Sequence, residues 1–71
     1  MASGVRVQLG KRIRDLRQKR SWRQIDLAAH AELSKTHISD LETGKREIGL
    51  DALKRIAEAL DKTLSELLDG I

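Results

Sequence analysis

The sequence predicts an all-α fold of five short helices, and three observations predict it. Apolar residues recur at three- and four-residue intervals, and no useful length alternates as a strand does. The 71 residues suit one small domain, and no proline is present to break a helix. The segment Gln24 to Gly44, QIDLAAHAELSKTHISDLETG, holds two short helical patterns hinged by a brief turn.

Residues 1–5 are expected to form a flexible N-terminal tail, and residues 6–71 the domain. The first helix runs from about Arg6 to Arg20, with Leu9, Ile13 and Leu16 on one face and Arg and Lys opposite. Gly10 weakens its first turn without forbidding it. Two starts compete for the second helix. Ser21 with Gln24 fits a capping box. Alternatively Arg23 is the cap, Asp26 lies near the positive helix end, and Trp22 staples onto Leu27. The second start is preferred because it turns Leu27, Ala28 and Ala31 inward, although arginine is a poor cap.

Glu32 and Leu33 form the turn. Ser34 caps the third helix, which runs to about Thr43, and Gly44 ends it. Lys45 to Gly49 is a loop. The fourth helix spans roughly Leu50 to Leu60, with Leu53, Ile56, Ala57 and Leu60 inward. Thr63 and Glu66 form a capping box for a fifth helix ending near Asp69.

Composition narrows the function. There is no cysteine, hence no disulfide framework and no cysteine-based metal site. No signal-peptide core or membrane-length apolar run is present, so a soluble cytoplasmic protein is expected, nucleoid-associated when bound. Trp22 is the one aromatic residue, too few stacking platforms for a single-strand binder. Net charge is +3, unevenly spread: residues 1–23 hold eight Lys/Arg against one Asp, whereas residues 24–44 hold Lys35 against four acids. A basic front suits attraction to phosphate. His30 and His37 stand on different helices without a third ligand at metal spacing, and no catalytic constellation or nucleotide-cradling loop is present. Neither an enzyme nor a cofactor is expected.

The third helix carries the recognition chemistry. Ile38 and Leu41 share a face and anchor it, while Lys35, Thr36, Ser39, Asp40 and Thr43 lie opposite. Mostly short polar side chains let a helix sit deep in the major groove of DNA, braced by the helix before it. Its first turn projects furthest, so Ser34, Lys35 and Thr36 lead the base-reading candidates, with Ser39 and Asp40 behind them. Lys35 can donate to guanine O6 and N7, the Thr36 methyl can meet a thymine methyl, and Asp40 can accept from cytosine N4. Ile48, Leu50, Leu64, Leu68 and Ile71 exceed the apolar residues a monomer core requires and form the candidate dimer interface. A two-fold dimer places two recognition helices about 34 Å apart, one turn of DNA.

Residues 9–68 resemble the lambda-repressor-like (Cro/C1-type, XRE) helix-turn-helix family. The matching stations include Leu9-Gly10, Ile13-Arg14, Leu16-Arg17, Gln24, Leu27-Ala28, Leu33-Ser34, Ile38-Ser39, Glu42, Gly44-Lys45, Leu53, Ile56-Ala57, Leu60 and Leu67. The resemblance implies five helices, with the second and third forming the motif, and a dimer on a palindromic operator that regulates transcription. It implies phosphate contacts from Gln24, which suits the positive end of a helix, and from His37, Thr43, Lys45 and Arg46. It implies base reading by positions 35, 36 and 40. It also implies a buried ion pair between Arg17 and Glu42.

Within the family, Lys35-Thr36-His37-Ile38-Ser39 is similar to the recognition segment of restriction–modification controller proteins, which are as short as this chain. Three departures stand out. Glu32 occupies the turn position usually held by a left-handed glycine, at a cost of about 1 kcal/mol. Arg23 replaces the usual Ser/Thr cap and offers a phosphate contact instead. Ile25 stands where activating members carry an acid that touches RNA polymerase, which leaves Ile25 and the adjacent Asp26 as the corresponding contact. The resulting expectation is an autoregulatory controller. The alternatives are an antitoxin or phage-type repressor of the same fold, or a protein-interaction module that does not read DNA.

Overall fold

The computed structural model describes residues 4–71. It contains α1 (Gly4–Lys19), α2 (Gln24–Ala31), α3 (Lys35–Glu42), α4 (Leu50–Ala59) and α5 (Leu64–Leu68), with no strand among the described residues. The fold is therefore all-α. Helix α1 starts before Arg6: Gly4 and Val5 belong to it and not to a tail, while the rest of the expected tail lies outside the described residues.

Helix α3 packs against α1 and α2, α4 covers α2, and α5 closes the domain against α1 and α4. At the centre, Ile13, Leu27, Ile38, Leu41, Ile56, Leu60 and Leu67 are fully buried. Each helix thus contributes at least one anchor to a single core, which is how so short a chain avoids leaving any element unsupported. Among the described residues no helix is long and apolar enough to cross a membrane.

Local signals set the helix starts. The Ser34 hydroxyl oxygen accepts from the His37 N–H at 3.0 Å. Thr63 and Glu66 cap reciprocally, Glu66 N–H to Thr63 Oγ1 at 3.0 Å and Thr63 N–H to Glu66 Oε1 at 2.8 Å. Arg23 occupies the cap of α2, and its N–H donates to Asp26 Oδ2 at 2.8 Å. Only this half of a capping box is possible, since a guanidinium has no acceptor to return.

The ends of α1 to α4 share one device. After each, a residue with positive φ reverses the chain: Ser21 at 59°, Glu32 at 59°, Gly44 at 75° and Asp61 at 58°. Paired backbone bonds close each reversal, as in Glu32 N–H to Ala29 O and Leu33 N–H to Ala28 O at 3.3 and 2.9 Å. Three of the four positions carry a side chain where glycine is less strained. Glu32→Gly is expected to raise stability by up to about 1 kcal/mol. Urea denaturation checks it, and a loss of stability would show that the Glu32 side chain contributes more than its strain costs.

Arginines satisfy further carbonyls at the ends of α2, α4 and α5. Arg12 donates to Glu66 O, Leu67 O and Asp69 O at 3.2, 3.3 and 2.6 Å. Arg20 donates to Leu60 O at 3.0 Å and Arg55 to Glu32 O at 3.4 Å. Guanidinium groups suit the negative ends of helices. The basic front is therefore not all free charge: Arg12, Arg17 and Arg20 hold the fold together.

Candidate nucleic-acid interface

Helix α3 is fixed from below. Ile38, Leu41 and Glu42 are buried, while Ser34, Lys35, Thr36 and Thr43 are exposed and His37, Ser39 and Asp40 are half-buried. The Ser34 oxygen is occupied by its cap, leaving its hydroxyl proton to donate outward. Lys35 and Thr36, in the first turn, are both exposed.

The last residue of α3 is locked to α1. Arg17 Nε meets Glu42 Oε2 at 2.6 Å and Arg17 Nη2 meets Glu42 Oε1 at 3.0 Å, a two-pronged ion pair with side-chain exposures of 10% and 2%. Arg17 Nη1 also donates to Trp22 O at 2.8 Å. Gln24 Nε2 donates to Glu42 Oε1 at 3.1 Å, so the first residue of α2 joins the same network. One carboxylate thus ties together α1, the entry to α2 and the exit of α3. No buried side-chain nitrogen or oxygen among the described residues lacks a partner.

The remaining candidates flank α3. Thr43 Oγ1 donates to Ser39 O and Asp40 O at 2.9 and 3.2 Å, which leaves its oxygen lone pairs free but no proton for a phosphate. Lys45 is exposed in the following loop, and Arg46 Nη2 approaches Asp40 Oδ2 at 3.4 Å. At the entry to α2 the exposed Arg23 side chain turns onto Asp26, with Nε to Oδ2 at 3.2 Å. Gln24 and Thr43 are thus partly engaged within the protein, while Lys35, Thr36 and Lys45 face outward.

Two carboxylates are held below their usual range: Asp26 by the Arg23 guanidinium and then by the Arg23 N–H, and Glu66 chiefly by the Thr63 N–H. A depressed folded value stabilises the fold above the ordinary carboxylate range, and the contribution disappears as pH falls through the folded value. The midpoint of thermal unfolding is therefore expected to drop on acidification below that range, and Asp26→Asn is expected to flatten the drop. An unchanged acid limb in that variant would remove Asp26 from the account.

The apolar residues assigned to a dimer divide. Ile48 and Ile71 pack against the core and so serve the monomer as well. Leu50 is 78% exposed, and Leu64 and Leu68 are also exposed on α5. On α2, Ile25 is 52% exposed, whereas the neighbouring Asp26 is occupied by Arg23. His30 stacks on Trp22 with ring centres 4.4 Å apart, and Arg20 lies over Trp22 at 4.9 Å, an arrangement that helical periodicity alone does not reveal. Among the described residues no three His, Cys, Asp or Glu side chains are grouped to hold a metal ion.

Comparison with known proteins places this geometry. Residues 13–67 match the family described as Helix-turn-helix. The chain is 36% identical over 70 residues to control protein C.BamHI of Bacillus amyloliquefaciens, covering 97% of this chain and 86% of that one. It is 37% identical over 65 residues to the HTH-type transcriptional regulator DdrOP3 of Deinococcus deserti, covering 92% of this chain but half the length of that regulator. The crystal structure of the restriction–modification controller protein C.AhdI from Aeromonas hydrophila superimposes with a TM-score of 0.84 at 33% identity, covering 86% of this chain and 92% of that one. The family match spans both helices of the motif and the core residues that hold them, so the chain belongs to the Cro/C1-type helix-turn-helix family, whose members are DNA-binding transcriptional regulators and not enzymes.

Proposed function

We propose that this protein is a dimeric, autoregulatory controller of a restriction–modification system that binds a palindromic operator in double-stranded DNA. The observation that carries the reading is α3: an outward-facing first turn with Lys35 and Thr36 accessible, on a helix anchored by buried Ile38, Leu41 and Glu42. A helix anchored this firmly on its apolar side, with the first turn of its polar face open, fits a major groove. Ser34, Lys35, Thr36, Ser39 and Asp40 form the base-reading surface. Arg23, Gln24, His37 and Lys45 flank it as the phosphate contacts, and Thr43 joins them only when its hydroxyl turns away from Ser39 O and Asp40 O.

The likeness to C.BamHI and C.AhdI supports the controller assignment, since both are matched over most of their length. Exposed Leu50, Leu64 and Leu68, with Ile48 and Ile71 at their margin, supply the two-fold contact that brings a second α3 to the neighbouring turn of DNA. Exposed Ile25 is the contact offered to RNA polymerase; Asp26, engaged by Arg23, stabilises α2 beside it.

The test is titration against the DNA upstream of the protein's own gene at several salt concentrations, with a scrambled duplex as control and mass readout of the complex. Selective binding of two or four chains supports the reading. Equal, weak binding to both duplexes replaces it with the protein-interaction alternative. Lys35→Ala is expected to alter preference at one base pair per half-site. Lys45→Ala is expected to weaken all sites similarly and reduce the salt slope by about 1. The same sequence-independent loss from both changes would sink this division of roles.

A further inference from the structure

We propose that Asp40 and Arg46 form a single base-reading unit in which Asp40 positions the Arg46 guanidinium and the guanidinium, not the carboxylate, meets the base. The inference rests on the DNA-binding reading above and makes it specific at one base pair. Asp40 shares the exposed face of α3 with Thr36, one turn earlier, and Thr43, one turn later. Its carboxylate Oδ2 lies 3.4 Å from Arg46 Nη2, with side-chain exposures of 28% for Asp40 and 46% for Arg46.

The backbone reinforces this pairing. Lys45 N–H donates to Asp40 O at 2.9 Å, closing the reversal at Gly44, and Thr43 Oγ1 donates to the same carbonyl at 3.2 Å. The segment that carries Arg46 is therefore fastened to the residue its side chain touches. This places a guanidinium beside the reading face before any DNA arrives, so less side-chain freedom is lost on binding.

Charge points the same way. An isolated carboxylate between two rows of phosphates is repelled, and residues 24–44 hold four acids against Lys35. Pairing neutralises Asp40 and turns an unfavourable group into a support. A guanidinium has five N–H donors, so one can remain with Asp40 while two others address guanine O6 and N7 together. The unit thus selects a G·C pair in each half-site, inward or outward of the pairs met by Lys35 and Thr36. Arg46 then belongs with the base-reading residues and not with the phosphate contacts.

The experiment measures affinities of the wild type, Asp40→Ala, Arg46→Ala, Arg46→Lys and the double alanine variant for an operator panel substituted one base pair at a time. All four changes lie at exposed or half-buried positions, and circular dichroism verifies the fold. The expected result is loss of preference at the same base pair in every variant, by about 5- to 150-fold. The double variant is expected to be no worse than Arg46→Ala, and Arg46→Lys to retain the wild-type salt slope while losing selectivity. Two results overturn the unit: Arg46→Ala weakening every site equally, or Asp40→Ala leaving the preference intact or tightening all sites. If instead the wild type does not distinguish the operator from the scrambled duplex, it is the DNA-binding reading that fails.

Discussion

Glu42→Ala is expected to destabilise the domain by about 3–5 kcal/mol. The change leaves the Arg17 guanidinium in place, only 10% exposed, with two of its donors unmatched and only Trp22 O still accepting. It also frees the Gln24 amide that Glu42 Oε1 now holds. The penalty is that of an unpaired buried cation, not the net worth of the pair, because forming the pair already required both groups to leave water. At about 0.05–0.15 kcal/mol per residue, a chain of 71 residues has about 4–11 kcal/mol in total, so the variant lies near the unfolding threshold.

A double replacement, Arg17→Met with Glu42→Leu, separates the two accounts. It removes both charges and keeps most of the volume, and is expected to cost far less than the sum of the single changes. Urea denaturation of the wild type, Arg17→Met, Glu42→Leu and the double variant completes the cycle. Because Glu42 ends α3 and Gln24 starts α2, DNA binding is expected to suffer in the single variant even where folding survives. A loss below about 1 kcal/mol in Glu42→Ala would mean that the pair is solvated and contributes as a surface bridge does.

The pair also marks what sequence reasoning reaches. Capping by Ser34 and by Thr63 with Glu66 is legible because donor and acceptor sit three residues apart, within one turn. The inward faces of α3 and α4 are legible because burial repeats with the helical period. The meeting of Arg17 and Glu42, 25 residues apart, entered the reading through family resemblance, since no periodicity joins two helices. Of the recognition surface, the residue types and their shared face are readable. The engagement of Gln24 by Glu42 and of Arg46 by Asp40 is not, because both depend on how separate elements dock.

Arg12 shows the limit most plainly. Its acceptors are backbone carbonyls as far as 57 residues away, and a carbonyl leaves no signature in residue identity. Its place on a helix rich in Arg and Lys reads as solvated charge, whereas the structure makes it the clasp between α1 and α5. Ser21 and Asp61 are similar cases. Both adopt left-handed conformations that their residue types tolerate without announcing them.

Gly10→Ala is the second large effect, and propensity alone gives it the wrong sign. Alanine in place of glycine inside a helix should stabilise by roughly 0.5–1 kcal/mol. At Gly10, however, an added Cβ would stand 2.4 Å from Leu41 O and 2.7 Å from Glu42 O. Those atoms are backbone at the end of α3 and cannot rotate aside as a flexible side chain would. Overpacking of a close helix contact typically costs about 1–3 kcal/mol, and here the neighbour is rigid, so a net loss of about 2–3 kcal/mol is expected. For a domain of this size that corresponds to a fall in Tm of roughly 10–20 °C. Gly10 lies on the buried face of α1 with Ile13 and Arg17, so pushing α1 away from α3 also stretches the Arg17–Glu42 contact. Combining Gly10→Ala with Glu42→Ala should therefore cost less than the two separate losses added together. A rise in Tm for Gly10→Ala would instead show that α1 slides past α3 without strain. The close approach of the two helices would then contribute nothing to the orientation of the recognition helix.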